Sequence, residues 1–167
     1  MTQQVKRNYL EINSLVNLKE AKKISEDYII ILLDPADFQL NKFFYKNIGK
    51  KHKWIDRLIW SETKWIDYVS NKNIKTFILK NKKDLVGFFE LIFHHKKSEI
   101  EIAYFGLLEE YQNKKLGSYL LSEAIKKSFE HNVKRVWLHT CSLDHKNALN
   151  NYIARGMKIF KTEIIKI

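Results

Sequence analysis

Cysteine, proline and glycine are scarce in this chain of 167 residues, which holds one Cys, one Pro and five scattered Gly. The single cysteine, Cys141, cannot form an internal disulfide, which fits a reducing compartment. No Pro-, Gly- or Ser-rich stretch marks a linker, and no internal repeat or low-complexity run marks an array. We therefore expect residues 1–167 to form a single domain.

Long hydrophobic runs are absent as well. The longest, Tyr28–Leu33 (YIIILL), is far too short to cross a bilayer, and the first ten residues lack the apolar block of a signal peptide. We therefore expect a cytoplasmic protein with no membrane partner.

Acidic residues are few relative to basic ones, at 19 Asp and Glu against 30 Lys and Arg, which gives a formal net charge of +11. This charge favours polyanionic partners, namely nucleic acid, an acidic membrane surface or a phosphorylated small molecule. The alternative is a solvated lysine surface produced by compositional bias, and the charge alone does not choose. What the chain does have is 45% hydrophobic residues, including ten Phe, eight Tyr and four Trp, as expected of a packed globular domain.

The first part of the chain contains two strand candidates and a helix. Val5–Ile12 could form an edge strand, and Tyr28–Leu33 is typical of a buried strand because its β-branched residues end sharply before a proline. Asp34 is then expected to cap a helix that Pro35 starts and that runs to about Ile48.

A second helix is expected after the capping candidate Ser61, with an inner face of Trp65, Ile66 and Val69. Short polar turns then separate three strand candidates, as an antiparallel meander at the centre of a sheet requires. These strands are Lys75–Leu79, Leu85–His94 and Glu99–Leu107.

The second half follows a β-α-β-α-β order. Apolar residues at helical spacing run from Leu116 to Phe129, Val133–His139 is a strand, and Asp144 is expected to cap a helix. The inner face of that helix is Ala148, Leu149, Tyr152 and Ile153, and a left-handed Gly156 ends it. Met157–Ile165 then closes the sheet. The order of elements predicts an α/β fold, a three-layer α/β/α sandwich around a central, mostly antiparallel mixed sheet.

The segment Glu109–Ser118 (EEYQNKKLGS) joins the last strand of the meander to the long helix. A strand that feeds a helix through such a turn directs several backbone N–H groups and the positive helix end at one place, which suits a pyrophosphate. The alternative is an ordinary helix start, since one glycine and two lysines are a weak motif by themselves.

Here the sequence resembles the GNAT superfamily of N-acetyltransferases, whose signature is Gln/Arg-x-x-Gly-x-Gly/Ala. Gln112 and Gly117 match that signature, and Lys115 stands in place of the middle glycine. The family also carries the pattern Asn-x-x-Ala-x-x-x-Tyr-x-x-x-Gly-Phe on its next helix. Here that pattern is His145, Ala148, Tyr152, Gly156 and Met157.

Two motifs in the right order, about 35 residues apart, are far less probable by accident than either alone. The resemblance covers about Ile74 to Phe160. Within the superfamily, the sequence is similar to an uncharacterised bacterial branch. The resemblance implies an acetyl-coenzyme A-dependent N-acetyltransferase that acts on a primary amine by direct attack on the thioester. The residues implied to bind the cofactor are Leu107, Leu108, Gln112, Asn113, Lys114, Lys115, Leu116, Gly117, Ser118, His145 and Tyr152.

The resemblance also implies catalytic roles. The backbone N–H of Leu107 would bond the thioester carbonyl where the motif strand splays from its neighbour. Tyr152 would protonate the departing thiolate, although its spacing alone fits a core aromatic equally well.

Two carboxylates are candidates for the general base. Glu101 matches a glutamate of the histone-acetylating branch, and strand alternation predicts the same face for Glu99, Glu101, Ala103, Phe105 and Leu107. Glu90, alone in the apolar run VGFFELIF, must find a partner or face a cavity. The alternative for Glu101 is a solvent-facing strand residue.

The acceptor site is expected between the first two helices, where Trp54, Asp56, Arg57 and Trp60 cluster. Trp54, Arg57 and Trp60 could bind a small amine or peptide acceptor, or the Trp residues could only pin a helical hairpin to the sheet.

Three further expectations concern partners. His139, Cys141 and His145 match no common zinc spacing, so we expect no metal. Family habit suggests a homodimer. The alternative function is a catalytically degenerate module that binds RNA or a protein through its basic surface, for which Lys50–Lys53 beside Trp54 is the best candidate patch, but nucleic acid is the less favoured partner.

Overall fold

The computed structural model describes residues 2–167, which form a mixed α/β structure around one seven-stranded sheet of order β2-β3-β4-β5-β6-β1-β7. All neighbouring strands are antiparallel except β5 and β6, which are parallel. The strands are β1 Gln4–Ile12, β2 Tyr28–Leu32, β3 Ile74–Asn81, β4 Asp84–His94, β5 Glu99–Leu107, β6 Arg135–Cys141 and β7 Lys158–Lys166. The helices are α1 Phe38–Gly49, α2 Glu62–Ser70, α3 Leu116–Phe129 and α4 Ala148–Ala154.

Two apolar clusters cover the two faces of the sheet. On one face, α3 buries Leu116, Leu120 and Leu121 against residues such as Phe89 and Ile102. On the other face, the smaller cluster consists of Phe44, Ile48, Ile78, Phe88 and Leu108. The predicted three-layer α/β/α sandwich with a mostly antiparallel sheet is therefore confirmed. No helix within residues 2–167 has the length and apolar character needed to cross a membrane.

The roles of the first two strands are reversed relative to the prediction. β1 is an inner strand, because the carboxyl-terminal strand β7 pairs along its outer side while β6 pairs along its inner side. β2 is an edge strand that pairs only with β3, and Ile29, Ile31 and Leu32 are exposed. The hydrophobic run of β2 indicated two covered faces, but only Tyr28 and Ile30 pack against the core.

The start of α1 also differs from the prediction. The Asp34–Pro35 peptide is cis and lies before the helix. The side chain of Asp37 accepts a 3.0 Å hydrogen bond from the backbone N–H of Gln39, and α1 therefore begins at Phe38.

Ser61 caps α2 as predicted, accepting from the N–H of Lys64. Trp65 and Val69 are buried on the inner face, whereas Ile66, which was predicted to join them, is exposed. Trp65 and Val69 are spaced i, i+4 and share a face, whereas Ile66 is rotated by about 100° from Trp65 around the helix.

Asp144 does not cap α4, as the sequence predicted; Asn147 occupies the capping position instead. Asp144 accepts from the hydroxyl of Thr140 and from the backbone N–H of Cys141, at 3.0 Å for the latter, so it closes the turn after β6. Ile153, predicted to face inward, is exposed. The left-handed conformation of Gly156 is confirmed by its φ of 103°.

A bulge in the β4–β5 ladder changes which residues of β5 share a face. The register passes from Glu90 opposite Tyr104 to Leu91 opposite Ile102, which leaves one extra residue in β5. Strict alternation is broken at that point. The predicted common face for residues 99, 101, 103, 105 and 107 is therefore wrong.

Because of the bulge, the even-numbered residues of β5 before it and the odd-numbered residues after it lie on the same face of the sheet. Ile100 and Ile102 lie in the α3-side core, and so do Phe105 and Leu107 beyond the bulge. Glu101 stands with Tyr104 on the opposite face, toward α1 and α2.

Candidate active site

The most prominent concavity begins where β5 and β6 separate. These parallel strands pair only over Glu99–Glu101 with Arg135–Trp137, and beyond that point they diverge. A cleft of about 1030 Å³ occupies the gap. Its α3 end is lined by Gln112, Asn113, Lys115, Gly117, Ser118, His145 and Tyr152, and its α1–α2 end by Trp54, Arg57, Trp60, Tyr68, Glu101 and Tyr104.

Leu107 lies at the edge of the gap. The N–H of Leu108 donates a 2.9 Å hydrogen bond to Val86 of β4. Because consecutive residues of an antiparallel strand direct their N–H groups to opposite sides, the N–H of Leu107 points toward the cleft. The Leu107 carbonyl accepts a 3.4 Å bond from Gln112, which ties the end of β5 to the turn that follows.

That turn places two residues in the left-handed region immediately before α3. Asn113 and Lys115 both have φ of 62°, and Lys115 occupies the capping position of the helix. Lys115 thus adopts the conformation that the motif glycine would adopt. The turn aims the free N–H groups of the first helical turn at the cleft, as an anion site requires.

Gly117 leaves the floor of this end open. A Cβ added there would meet only the amide nitrogen of Asn151 at 3.7 Å and a methyl of Leu107 at 3.8 Å. A larger side chain at this position would extend into the cleft.

Three residues that the sequence predicted for cofactor binding do not line the cleft. Leu108 and Leu116 are buried in the two apolar clusters. The ammonium of Lys114 lies 5.5 Å from the ring centre of Tyr111. The other eight predicted cofactor residues line it.

Tyr152 reaches the cleft from α4. It is 7% exposed and packs edge-to-face against Phe105, with ring centres 6.3 Å apart. Burial, with a smaller contribution from the charge of Asp144, raises the pKa of its phenol. The phenol therefore stays protonated at neutral pH.

His145 also lines the cleft and lies just before α4 in the chain. Its Nδ1 accepts from the N–H of Asn147 at 3.1 Å, and burial, followed by the proximity of His52, lowers its pKa. His52 belongs to the segment between α1 and α2, and its Nδ1 lies 3.1 Å from the carbonyl oxygen of Leu143. This contact joins the α1–α2 segment to the turn after β6 across the cleft.

Glu90, one of the two candidate bases, does not line the cleft. Its side chain is completely buried, and Oε1 accepts from Arg57 at 3.0 Å and from Asn41 at 2.9 Å. Oε2 accepts from the hydroxyl of Tyr68 at 3.0 Å. Its partners occupy both carboxylate oxygens, so the geometry gives Glu90 a structural role rather than that of a base.

Arg57, predicted to bind the acceptor, is held in the same buried network. Five aromatic rings surround its guanidinium at 4.2–5.6 Å, those of Tyr45, Trp60, Trp65, Tyr68 and Tyr104. Burial lowers the pKa of Arg57, but the charge of Glu90, its hydrogen bond and the neighbouring Tyr68 and Tyr104 together outweigh burial, so the pKa is raised. The cation is thus neutralised within the protein, although its edge reaches the cleft.

Trp54 and Trp60 pin the α1–α2 segment and also lie in the cleft wall, so their positions are compatible with both of the roles that the sequence left open. Trp54 packs edge-to-face on Tyr104 with ring centres 4.9 Å apart, which pins the α1–α2 segment to the sheet. Trp60 packs in the same way on Trp65 at 5.0 Å. Both also line the α1–α2 end of the cleft.

Glu101 lines the cleft, and its Oε1 lies 3.0 Å from Nε2 of His94 on β4. His139 and Cys141 line the cleft from β6. Burial lowers the pKa of His139, as does the charge of Arg7, and burial raises the pKa of the Cys141 thiol. Among residues 2–167, no group of three His, Cys, Asp or Glu side chains has a metal-binding arrangement.

Sequence reasoning missed several residues of the site. Asn41, Tyr68 and Tyr104 complete the network around Glu90 and Arg57, and no short motif marks them because their elements are far apart in the chain. His94 had a detectable signal. The meander places the end of β4 beside the start of β5, so His94 had to lie near Glu99 or Glu101.

A central strand that splays from its neighbour beside a helix amino terminus is the arrangement that the resemblance to N-acetyltransferases implied. Residues 38–157 match the model of the Acetyltransferase (GNAT) family. The chain therefore belongs to this acetyltransferase family. No curated protein matches the chain.

Solved structures share the fold at low sequence identity. A GCN5-related N-acetyltransferase from Sphaerobacter thermophilus superposes with a TM-score of 0.73 and 13% identity, over 99% of this chain and 52% of that one. A conserved protein of unknown function from Staphylococcus epidermidis gives 0.64 and 19%, over 98% and 61%. An aminoglycoside acetyltransferase from an uncultured soil metagenomic sample gives 0.66 and 14%, over 80% and 90%. The chain thus spans about half to three fifths of the length of the Sphaerobacter thermophilus and Staphylococcus epidermidis proteins.

Proposed function

We propose that this protein transfers the acetyl group of acetyl-coenzyme A to a primary amine, by direct attack of the amine on the thioester. The observation that carries the proposal is the cleft between β5 and β6, which joins a helix amino terminus at one end to a pocket lined by aromatic residues at the other. An acyl donor and an acceptor can enter such a cleft from its two ends and meet at the free N–H of Leu107.

The α3 end fits the diphosphate of coenzyme A. The left-handed residues Asn113 and Lys115, which flank Lys114, and the first N–H groups of α3 supply a concave set of donors. Gly117 leaves room for a close approach. The cofactor supplies an activated acetyl thioester, and the chain's own groups do the rest.

The positions of three groups of the chain support the proposal. The N–H of Leu107 is available to a developing oxyanion. Tyr152 holds a proton at neutral pH and faces the cleft, so it can protonate the leaving sulfur. Of the two glutamates predicted as bases, Glu101 lines the cleft and Glu90 is buried, so Glu101 is proposed as the general base.

Isothermal titration with acetyl-coenzyme A tests the proposal. We expect micromolar binding by the wild-type protein and none by Gly117→Trp, whose indole would fill the α3 end. Lys127→Trp, near the far end of the same helix, is the matched control and should bind normally. Absence of binding by the wild-type protein would disprove the enzyme proposal and favour a module that binds RNA or protein.

The acceptor is to be found by an amine screen. The α1–α2 end presents the rings of Trp54, Trp60 and Tyr104, which suit an acceptor with an apolar body. The panel should contain phenethylamine, spermidine, a lysine-containing peptide and sisomicin. Sisomicin is included because one similar structure is that of an aminoglycoside acetyltransferase in complex with it. The net charge of +11 disfavours the polycations on this panel.

A further inference from the structure

The hydrogen-bond partner of Glu101 has no role in the scheme above. Nε2 of His94 lies 3.0 Å from Oε1 of Glu101. The side chain of Glu101 is 16% exposed and lines the cleft, whereas that of His94 is 38% exposed and does not. His94 thus contacts the proposed base without lining the cleft itself.

The reaction itself requires a base whose orientation is fixed. A primary amine is protonated at neutral pH, because its pKa is about 10. When the N–C bond forms and the C–S bond breaks, the ammonium group loses two protons. One ends on the thiol sulfur and the other must be accepted by the protein and then released to water. A carboxylate can accept that proton only if one oxygen is aimed at the amine.

We propose that His94 is the positioning residue for Glu101. Its Nε2–H donates to Oε1, so that Oε2 is left to face the cleft and to accept the proton of the amine. This inference rests on the proposed function, because it assigns the orientation of the base in that reaction.

The surroundings of His94 support a fixed geometry. Its ring stacks on that of Trp137 from β6, with centres 5.9 Å apart and planes at 25°. The residue opposite it on β5 is Glu99, which is itself bound by Arg135 at 3.2 Å. Arg135 also binds Glu11 at 2.8 Å.

The two glutamates bound by Arg135 are already paired. Glu99 and Glu11 share Arg135, so they do not compete for His94. His139, the other imidazole on this face, belongs to β6 and lines the cleft itself. Glu101 is left as the hydrogen-bond partner of His94.

The first test needs no acceptor. Nitrogen-15 NMR of the imidazole rings of the full chain distinguishes the two neutral tautomers. We expect His94 to be the Nε2–H tautomer in the wild-type protein and a mixture in Glu101→Ala. Observation of the Nδ1–H tautomer in the wild-type protein would overturn the inference, since Nε2 would then have no proton to donate.

The second test separates positioning from mere stability. Turnover is followed as thiol release from acetyl-coenzyme A with the best amine of the panel, or with water as acceptor if none reacts. We expect His94→Leu to lower kcat about 10- to 100-fold, with the Kd for acetyl-coenzyme A unchanged. His94→Gln, which retains an N–H donor of similar reach, should recover most of that loss. His95→Leu is the matched control, because His95 contacts Asn73 and stacks on Phe93 instead.

The outcomes distinguish the two proposals. Normal binding of acetyl-coenzyme A with wild-type kcat in His94→Leu overturns the positioning role alone. No binding of acetyl-coenzyme A by the wild-type protein overturns the proposed function, and the positioning role with it.

Discussion

Arg57 donates a 3.0 Å hydrogen bond to Glu90 in a part of the core where the carboxylate has no exposure and the guanidinium very little. Removing one member of such a pair leaves the other charge buried without a partner. We expect Glu90→Gln or Arg57→Met to lower the free energy of unfolding by about 3–5 kcal/mol. Urea denaturation of both variants measures this.

The double variant Arg57→Met with Glu90→Gln is the control for that pair. It should lose much less than the sum of the single losses, because no unpaired charge remains. Additive losses would show that the pair is not coupled, in conflict with the geometry.

The proposed base gives a contrasting prediction. We expect Glu101→Gln to lower kcat about 100-fold or more while the urea midpoint changes little, because this side chain lies at the wall of the cleft. Glu90→Gln should lower the urea midpoint and leave kcat little changed when kcat is measured at temperatures where the variant remains folded. The kcat and the midpoint of both variants are measured on the same preparations, and an unchanged kcat in Glu101→Gln would eliminate Glu101 as the base.

Tyr152 leads to a prediction about alkaline pH. Because burial raises its pKa, the phenol keeps its proton when an exposed tyrosine would begin to lose it at about pH 10. The unfolded state then binds fewer protons than the folded state, so stability should fall as the pH rises above about 10. Tyr152→Phe should flatten that fall, as measured by denaturation from pH 8 to 11.

The same residue should affect catalysis. Tyr152→Phe removes the proposed donor to the leaving sulfur, and we expect kcat to fall by about 100-fold with the acetyl-coenzyme A affinity retained. A normal kcat in this variant would assign Tyr152 to the core alone.

Lys115 occupies a left-handed position that favours glycine. Replacing it by glycine removes a strain of about 1 kcal/mol, and we expect Lys115→Gly to be more stable by roughly that amount. Asn113→Gly is the comparison at the same φ of 62°, and it should gain less because Asn tolerates this region. Thermal denaturation distinguishes the two, and equal or lower stability of Lys115→Gly would contradict the assignment of strain.

Replacement by alanine should change the free energy of unfolding differently at the two motif glycines. A Cβ on Gly156 would overlap the carbonyl oxygen of Asn17 at a φ of 103°, so Gly156→Ala should cost about 2–3 kcal/mol. Gly117 has open space and lies in a helix, so Gly117→Ala should be neutral or slightly stabilising. Chemical denaturation of the pair tests this, and similar losses in both would contradict it.

Local signals predicted most of the fold. The meander β3–β5, the cap at Ser61, the long helix α3 and the left-handed Gly156 each follow from residues within a few positions of one another. Capping, turn chemistry and helical spacing act over that range, so the sequence could specify them without knowledge of the rest. The cofactor motif belongs to this class, since Gln112 to Ser118 form one turn.

The places of β1 and β2 in the sheet could not be read in this way. Which strand lies at an edge depends on pairing between segments more than a hundred residues apart, as between β1 and β7. Asp144 was misread for a related reason, because the Thr140 hydroxyl and the Cys141 N–H took the carboxylate that would otherwise cap a helix.

The sequence by itself therefore determined the order of elements, the turn that precedes α3 and the set of candidate side chains. Only the tertiary structure showed that Glu101 lines the cleft and that Glu90 is buried. Both carboxylates lie on the sheet face that carries α1 and α2. Glu90 is covered there by Asn41 and Arg57, which are more than 30 residues away in the chain, whereas Glu101 meets His94 at the wall of the cleft.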